Sequence, residues 1–362
     1  MEMERNFIAE VLNLVSSSKP FTDMRLEEDS PVVVRMPDGW VVEDEIFSPT
    51  RDDIAQVLQE IDPDWEDSIR DGAINRPLNL SGWRLRVNAY LGYAGEKIMM
   101  SIRRIPLTAP TIKSVGLPPV VRLMLSAPRG LILISGATRS GKSTTAAAMI
   151  DEINNTRRAH IITIEDPIEY IFQSRKSVFS QREVGVDTAS FNAGLEDAMR
   201  QCPDVILVGE IRNRETAETA LLAGESGHLV IGTLHANTAI GATQKLLSWF
   251  NDNERNSKVQ SLAGSLVGVV NQILLPKIDK DGYALATEVI NNSEQDFSSM
   301  LNDPVKMASS LERPETRKGS VSMAESMADL ANRGVISGAD AMRAVTGLPG
   351  VQEKLKALLK PV

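Results

Sequence analysis

The sequence predicts an α/β protein in two parts: a small N-terminal α+β domain, then a doubly wound α/β domain that ends in helices. Three observations carry this. A glycine loop stands between an apolar run and an Ala-rich run in LILISGATRSGKSTTAAA, residues 131–148. Behind it, apolar runs alternate with helical patterns, as parallel strands with crossover helices require. Ahead of it, short strand and helix patterns come in mixed order. At 362 residues the chain also exceeds what one core usually holds, and its 42% apolar and 24% charged residues are those of a globular protein.

The first domain is expected over residues 1–105. Phe7, Ile8, Val11, Leu12 and Val15 recur at helical spacing. Pro31 to Met36 reads as a strand and Pro37-Asp38-Gly39 as a turn, while Ile54, Val57, Leu58 and Ile61 predict a second helix. From Trp83 to Tyr90, Leu85, Val87 and Ala89 alternate with Arg84, Arg86 and Asn88, a half-buried strand with one polar face, and Lys97 to Ile105 reads as its hairpin partner. Residues 106–118 carry three prolines and no sustained period, which predicts a linker.

The second domain follows over residues 119–362. Strands are expected at 131–135, 160–165, 205–209 and 228–234, with helices from 143, around 190–201 and from 214. Leu262, Leu266, Val269, Val270, Ile273 and Leu274 predict one helix face, stopped by Pro276. Tyr283 to Ile290 reads as a late strand, 312–319 as a polar segment, and Val321 to Leu330 and Gly338 to Val345 as two closing helices.

The loop is where chemistry concentrates. Gly136 and Gly141 bracket Ala137, Thr138, Arg139 and Ser140, and Lys142, Ser143 and Thr144 open the helix. Glycines permit positive φ and remove Cβ, so successive backbone N–H groups can curl around a phosphate, and the helix N-terminus adds its positive end. Lys142 would reach the β- and γ-phosphates as a point charge, and the Ser143 hydroxyl would ligate Mg²⁺. The pattern G-x-x-x-x-G-K-[ST] arises by chance in roughly 1% of chains this long, so it points to a nucleoside triphosphate.

Two more stretches place acids at strand C-terminal ends, where ligands of open α/β sheets bind. HIITIEDPIEY ends in Glu165-Asp166-Pro167 with Glu169 nearby, and DVILVGEIR ends in Gly209-Glu210. Phosphoryl transfer to water needs Mg²⁺ held and the attacking water oriented, and Glu165 and Glu210 can divide those tasks. Capping or a solvated turn explains Asp166 and Glu169 equally well. His228 and His235 bracket the strand LVIGTL, where packing is the commoner role of a lone histidine, and His160 suggests nothing beyond packing or exposure.

Composition excludes other classes. A net charge of −9 and a pI near 5.1 weigh against broad binding to nucleic acid or an acidic membrane. No run of 18 apolar residues occurs, and the charged start MEMERNFIAE is unlike a signal peptide, so a cytoplasmic protein is expected. The single cysteine, Cys202, rules out an internal disulfide and a cysteine metal site.

With these residues in view, the chain resembles the secretion ATPase superfamily, which includes the PilT-type pilus motors and the type II and type IV secretion ATPases. GATRSGKST at 136–144 is similar to that family's Walker A, TIEDPIEY at 163–170 to its Asp box, PDVILVGEIR at 203–212 to its Walker B, and GHLVIGTLHANTA at 227–239 to its His box. The resemblance implies a PAS-like N-terminal domain and a RecA-like ATPase domain. It implies that Glu165 polarises the attacking water and that Glu210 holds the Mg²⁺ shell through water. His228 would then sit near the γ-phosphate as a sensor, with His235 the other histidine of that motif. RVNA at 86–89 and SIRRIP at 101–106 resemble segments whose arginines reach a neighbouring subunit's nucleotide, which singles out Arg86 and Arg103 and implies a homohexamer.

Departures from the pattern are also visible. Arg139 stands where these loops usually carry glycine, and Asn213 replaces the aspartate common after GE-x-R. The region after Glu288 lacks the AIRNLIRE-like helix of retraction motors, and the C-terminal part looks closer to the type IVB secretion and conjugation branch. The expectation is a hexameric motor using ATP and Mg²⁺, docked from the cytoplasm on inner-membrane components of a pilus or of a secretion or conjugation machine. A ring-shaped nucleic-acid translocase and a nucleotide-gated regulatory module are the alternatives. The acidic balance weighs against the first, and the pair Glu165 and Glu210 against the second.

Overall fold

Two sheets organise the chain in the computed structural model, which describes residues 6–80, 82–292, 298–312 and 319–360. They belong to two units, Met1–Thr108 with Asp279–Tyr283, and Ala109–Ile278 with Ala284–Val362.

The first unit carries β1 (Asp23–Glu27), β2 (Val33–Met36), β3 (Gly39–Val42), β4 (Ile74–Leu80), β5 (Trp83–Gly92) and β6 (Lys97–Pro106). They form an antiparallel sheet in the order β3-β2-β1-β6-β5-β4. Helices α1 (Phe7–Ser16), α2 (Arg51–Ile61) and α3 (Trp65–Asp71) supply Phe7, Val11, Ile54, Leu58 and Ile69 to one core with Met24, Leu26, Leu85, Val87 and Met100. Alternation along β5 holds from Leu85 to Ala89: Leu85, Val87 and Ala89 are buried, with Arg86 and Asn88 turned to the opposite face, whereas Arg84, expected on the polar face, is buried. The sequence reading did not anticipate β1, β3, β4 or α3. Pro77 interrupts the strand signal of β4, and it is tolerated because β4 is an edge strand.

In the second unit, β7 (Gly130–Ser135), β8 (His160–Glu165), β9 (Val178–Glu183), β10 (Val205–Val208), β11 (Leu229–Leu234), β12 (Leu266–Pro276) and β13 (Tyr283–Asn291) stand in the order β13-β12-β7-β11-β10-β8-β9. From β12 to β9 the neighbours run parallel. The helices are α4 (Val120–Leu125), α5 (Lys142–Thr156), α6 (Phe191–Ala198), α7 (Arg214–Glu225), α8 (Ala239–Ser248), α9 (Asp252–Ser265), α10 (Pro304–Glu312), α11 (Met323–Asn332), α12 (Gly338–Ala344) and α13 (Pro349–Leu358). Successive residues of β7 feed opposite cores, Leu131 and Leu133 with α6 to α9, Ile132 and Ile134 with α4 and α5. A third cluster packs α11, α12 and α13 around Leu275, Ala284 and Ala286.

One expectation fails here. The stretch from Leu262 to Leu274 is not a single helix, because α9 ends at Ser265 and β12 begins at Leu266. β12 is buried on both faces from Leu266 to Gln272, so its apolar run lacks the period-2 signal that marks a half-buried strand. The polar segment expected at 312–319 lies, apart from its two ends, outside the described residues.

Candidate active site

β7 stops at Ser135, and the loop from Gly136 to Gly141 delivers α5 at Lys142. The turn needs positive φ at Gly136 (154°), Arg139 (66°) and Gly141 (86°). At Gly136 a Cβ would fall 2.4 Å from Ser140 Oγ and 2.6 Å from the Gln272 carbonyl, so only glycine fits. Arg139 takes the left-handed conformation that glycine adopts without cost, and its side chain is exposed. The N-cap of α5 is Gly141 in the left-handed conformation, which has no side chain to cap the first turn, and a helix N-terminus can bind an anion.

Lys142 bends back over this loop. Its Nζ donates to the carbonyls of Gly136 at 3.0 Å and Ala137 at 2.9 Å. Burial holds its ammonium below the usual lysine range, with the charge of Glu210 acting in the opposite sense. Ser143 is exposed on the first turn of α5, and the Thr144 hydroxyl lies 3.5 Å from that of Tyr170.

Three neighbouring strands end at the same rim. β11, beside β7, leads into His235, whose Nδ1 lies 3.5 Å from Lys142 Nζ. β10, next in order, leads into Glu210, whose Oε1 is 3.4 Å from His235 Nε2. Glu210 is held in place through its neighbours: Gly209 N–H donates to the Ile164 carbonyl at 2.8 Å and Ile211 N–H to that of Thr233 at 2.7 Å. Asn213, in the place of the common aspartate, still does a carboxylate's local work, since its side chain caps α7 by accepting from Thr216 N–H at 3.0 Å.

β8 ends at Glu165, which is 9% exposed. Burial pushes its carboxyl up to about 7, against the Thr163 hydroxyl, the Glu169 backbone and the Gln181 amide, which favour the charged form. Thr163 donates to Oε1 at 2.8 Å, and Gln181 Nε2 is 3.5 Å from the same oxygen. The sequence reading missed both partners. Thr163 had a signal, since it precedes Glu165 by two residues and so shares its strand face.

His228 does not reach this site. It precedes β11, at the sheet edge opposite the loop, and its main-chain carbonyl accepts from Gly130 N–H at the start of β7. Six residues of strand separate the two edges, roughly 20 Å at the rise of a strand. Its Nδ1 lies 3.1 Å from the Ala223 carbonyl, a packing role. The histidine at the loop is therefore His235.

In the first unit, Arg86 and Arg103 stand directly opposite each other on β5 and β6. Arg103 Nε donates to Asp23 Oδ1 at 3.0 Å. Its neighbour Arg104 is different. That guanidinium is buried between the rings of Phe21 and Trp83 and donates to the carbonyls of Val15, Ser17, Lys19 and Phe21. Burial lowers its ordinary pKa to about 10.

Comparison with known proteins shows the family. The sequence model of the family described as type II/IV secretion system protein matches residues 70–347. The type IV pilus ATPase PilU of Pseudomonas aeruginosa is 37% identical over 259 residues, which is 72% of this chain and 67% of that one. The crystal structure of the pilus retraction motor PilT with bound ADP is similar at a TM-score of 0.77 and 35% identity, over 92% of this chain and 96% of that one. The Legionella pneumophila ATPase DotB shares the fold, with a TM-score of 0.82 at 24% identity over 96% and 98% of the two chains. Among the described residues no helix is long and apolar enough to cross a membrane.

Proposed function

The chain belongs to the type II/IV secretion system protein family and is an ATPase, and on that premise we propose that it is a ring-forming motor coupling hydrolysis to the work of a type IV pilus. The single observation that carries the reading is the row along one sheet rim: phosphate loop, His235, Glu210 and Glu165, at the ends of four adjacent strands. The likeness to PilU and PilT supports the pilus over other secretion machines.

Each residue has a task in this reading. Residues 136–144 bind the phosphates, and Lys142 exchanges its two carbonyl partners for phosphate oxygens. Glu165 accepts the proton of the attacking water, for which a carboxyl raised to about 7 is well matched to neutral pH. The hydroxyl of Ser143 and the carboxylate of Glu210 are hard oxygen donors suited to Mg²⁺, which would neutralise charge on the phosphates when bound. Among the described residues no group of three or more His, Cys, Asp and Glu would hold a metal alone, and Mg²⁺ takes most of its shell from phosphates and water. His235 takes the role of γ-phosphate sensor in place of His228.

The assembly follows from the arginines. Residues 1–105 act as a PAS-like domain joined by 106–118 to the RecA-like ATPase domain of 119–362, and Arg86 and Arg103 act on a neighbouring copy's nucleotide in a homohexamer. The ring docks from the cytoplasm on inner-membrane components. ATP hydrolysis measured across a protein concentration series, with mass by light scattering on the same samples, tests this. Turnover that rises with the hexamer population supports the motor, and full activity from a monomer overturns it.

A further inference from the structure

Two buried amides on β12 join the loops that carry the site. Asn271 Nδ2 donates to Ser135 Oγ at 2.9 Å and to the Ala236 carbonyl at 3.0 Å. Ser135 is the last residue before the phosphate loop, and Ala236 the first after His235. Gln272 Nε2 donates to the Ser140 carbonyl at 2.6 Å, and the Gln272 main-chain carbonyl closes on Gly136 from below. Gln272 thus holds the phosphate loop itself, and Asn271 ties the end of β7 to the start of the histidine loop.

The placement is costly for the fold. The two side chains are 1% and 0% exposed inside the apolar run VVNQILL. Asn271 Oδ1 and Gln272 Oε1 have no hydrogen-bond partner among the described residues, so part of their desolvation is not recovered. Packing alone would favour apolar residues at both positions.

We propose that Asn271 and Gln272 are positioning residues for the ATPase reaction. Gln272 sets the curvature of the phosphate loop and hence nucleotide affinity. Asn271 sets His235 against Lys142 and hence turnover. The proposal rests on the reading of residues 136–144 and His235 as the nucleotide site.

Its test uses the full chain with Lys142→Ala, Gln272→Met, Gln272→Asn, Asn271→Leu and Asn271→Ser, measuring binding of a fluorescent ADP, kcat, KM and melting temperature. If Lys142→Ala keeps ADP affinity, the site reading falls and the proposal with it. With that control lost as expected, both Gln272 variants should weaken ADP binding and raise KM at least ~10-fold while kcat stays within ~3-fold. The Asn271 variants should lower kcat at least ~10-fold with ADP affinity within ~3-fold, Asn271→Ser serving where the larger side chain prevents folding. Folded variants with unchanged affinity and kcat overturn the proposal. So does an equal loss of both parameters at both positions, which is what general structural support would give.

Discussion

His235 Nε2 lies 3.4 Å from Glu210 Oε1 while its Nδ1 lies 3.5 Å from the Lys142 ammonium, so one imidazole spans two groups of opposite charge. A neutral ring protonated at Nε2 suits both contacts, donating to the carboxylate and turning its lone pair to the ammonium. His235→Ala should therefore lower kcat by ~10²-fold in steady-state assays. His228→Ala should leave kcat within ~3-fold and cost about 1 kcal/mol of stability, the worth of its bond to Ala223. The reverse ranking would return the sensor role to His228.

Glu165 makes turnover pH-dependent. With its carboxyl raised to about 7 in the nucleotide-free chain, the fraction able to accept a proton rises with pH, and kcat/KM should climb through a midpoint near that value. Glu165→Gln should bind ATP and lose turnover. Thr163→Val removes a donor to the charged form, so it should move the midpoint to higher pH. Stability runs the opposite way. The folded chain holds this proton from the ordinary carboxylate value of 4.5 up to about 7, so Glu165's contribution is lost as pH rises through that window and is flat in Glu165→Gln. A pH-independent kcat/KM in the native chain would remove Glu165 from the proton transfer.

The sequence made the nucleotide rim legible because each of its parts is local. GATRSGKST, VILVGE and TIEDP each place a strand end and its functional residue within a few positions, so periodicity and motif spacing locate both together. His228 and His235 flank one strand. The resemblance put the sensor role on His228, yet only His235 follows the strand, at the C-terminal end where the acids of the site also stand. β12 was hidden, since a strand buried on both faces reads like a buried helix, and with it went Asn271 and Gln272. Two amides set inside an apolar run were the available sign.

Gly136→Ala tests the loop itself. A methyl group there meets Ser140 Oγ at 2.4 Å and the Gln272 carbonyl at 2.6 Å, and the carbonyl belongs to a strand paired into the sheet. The loop must open to accept it, so ADP affinity should fall by ~10²-fold or more, read by titration calorimetry. Retained affinity would mean that the phosphates lie elsewhere.

Arg103 and Arg104 are adjacent in sequence and should fail in different ways. Arg104 ties down four carbonyls between two aromatic rings, and Arg104→Leu leaves those acceptors buried. It should cost about 3 kcal/mol or more in denaturant unfolding. Arg103 makes a partly exposed pair with Asp23, so Arg103→Ala should cost less than about 1 kcal/mol. Its effect should appear in turnover instead. If a guanidinium from one copy completes the site of the next, the variant should assemble normally by light scattering yet lose ~10³-fold in kcat. Mixing it with an excess of Glu165→Gln chains should restore no activity at Arg103→Ala sites capped by Arg103→Ala neighbours, but should restore those capped by an intact arginine. Normal turnover in Arg103→Ala would confine Arg103 to its ion pair with Asp23.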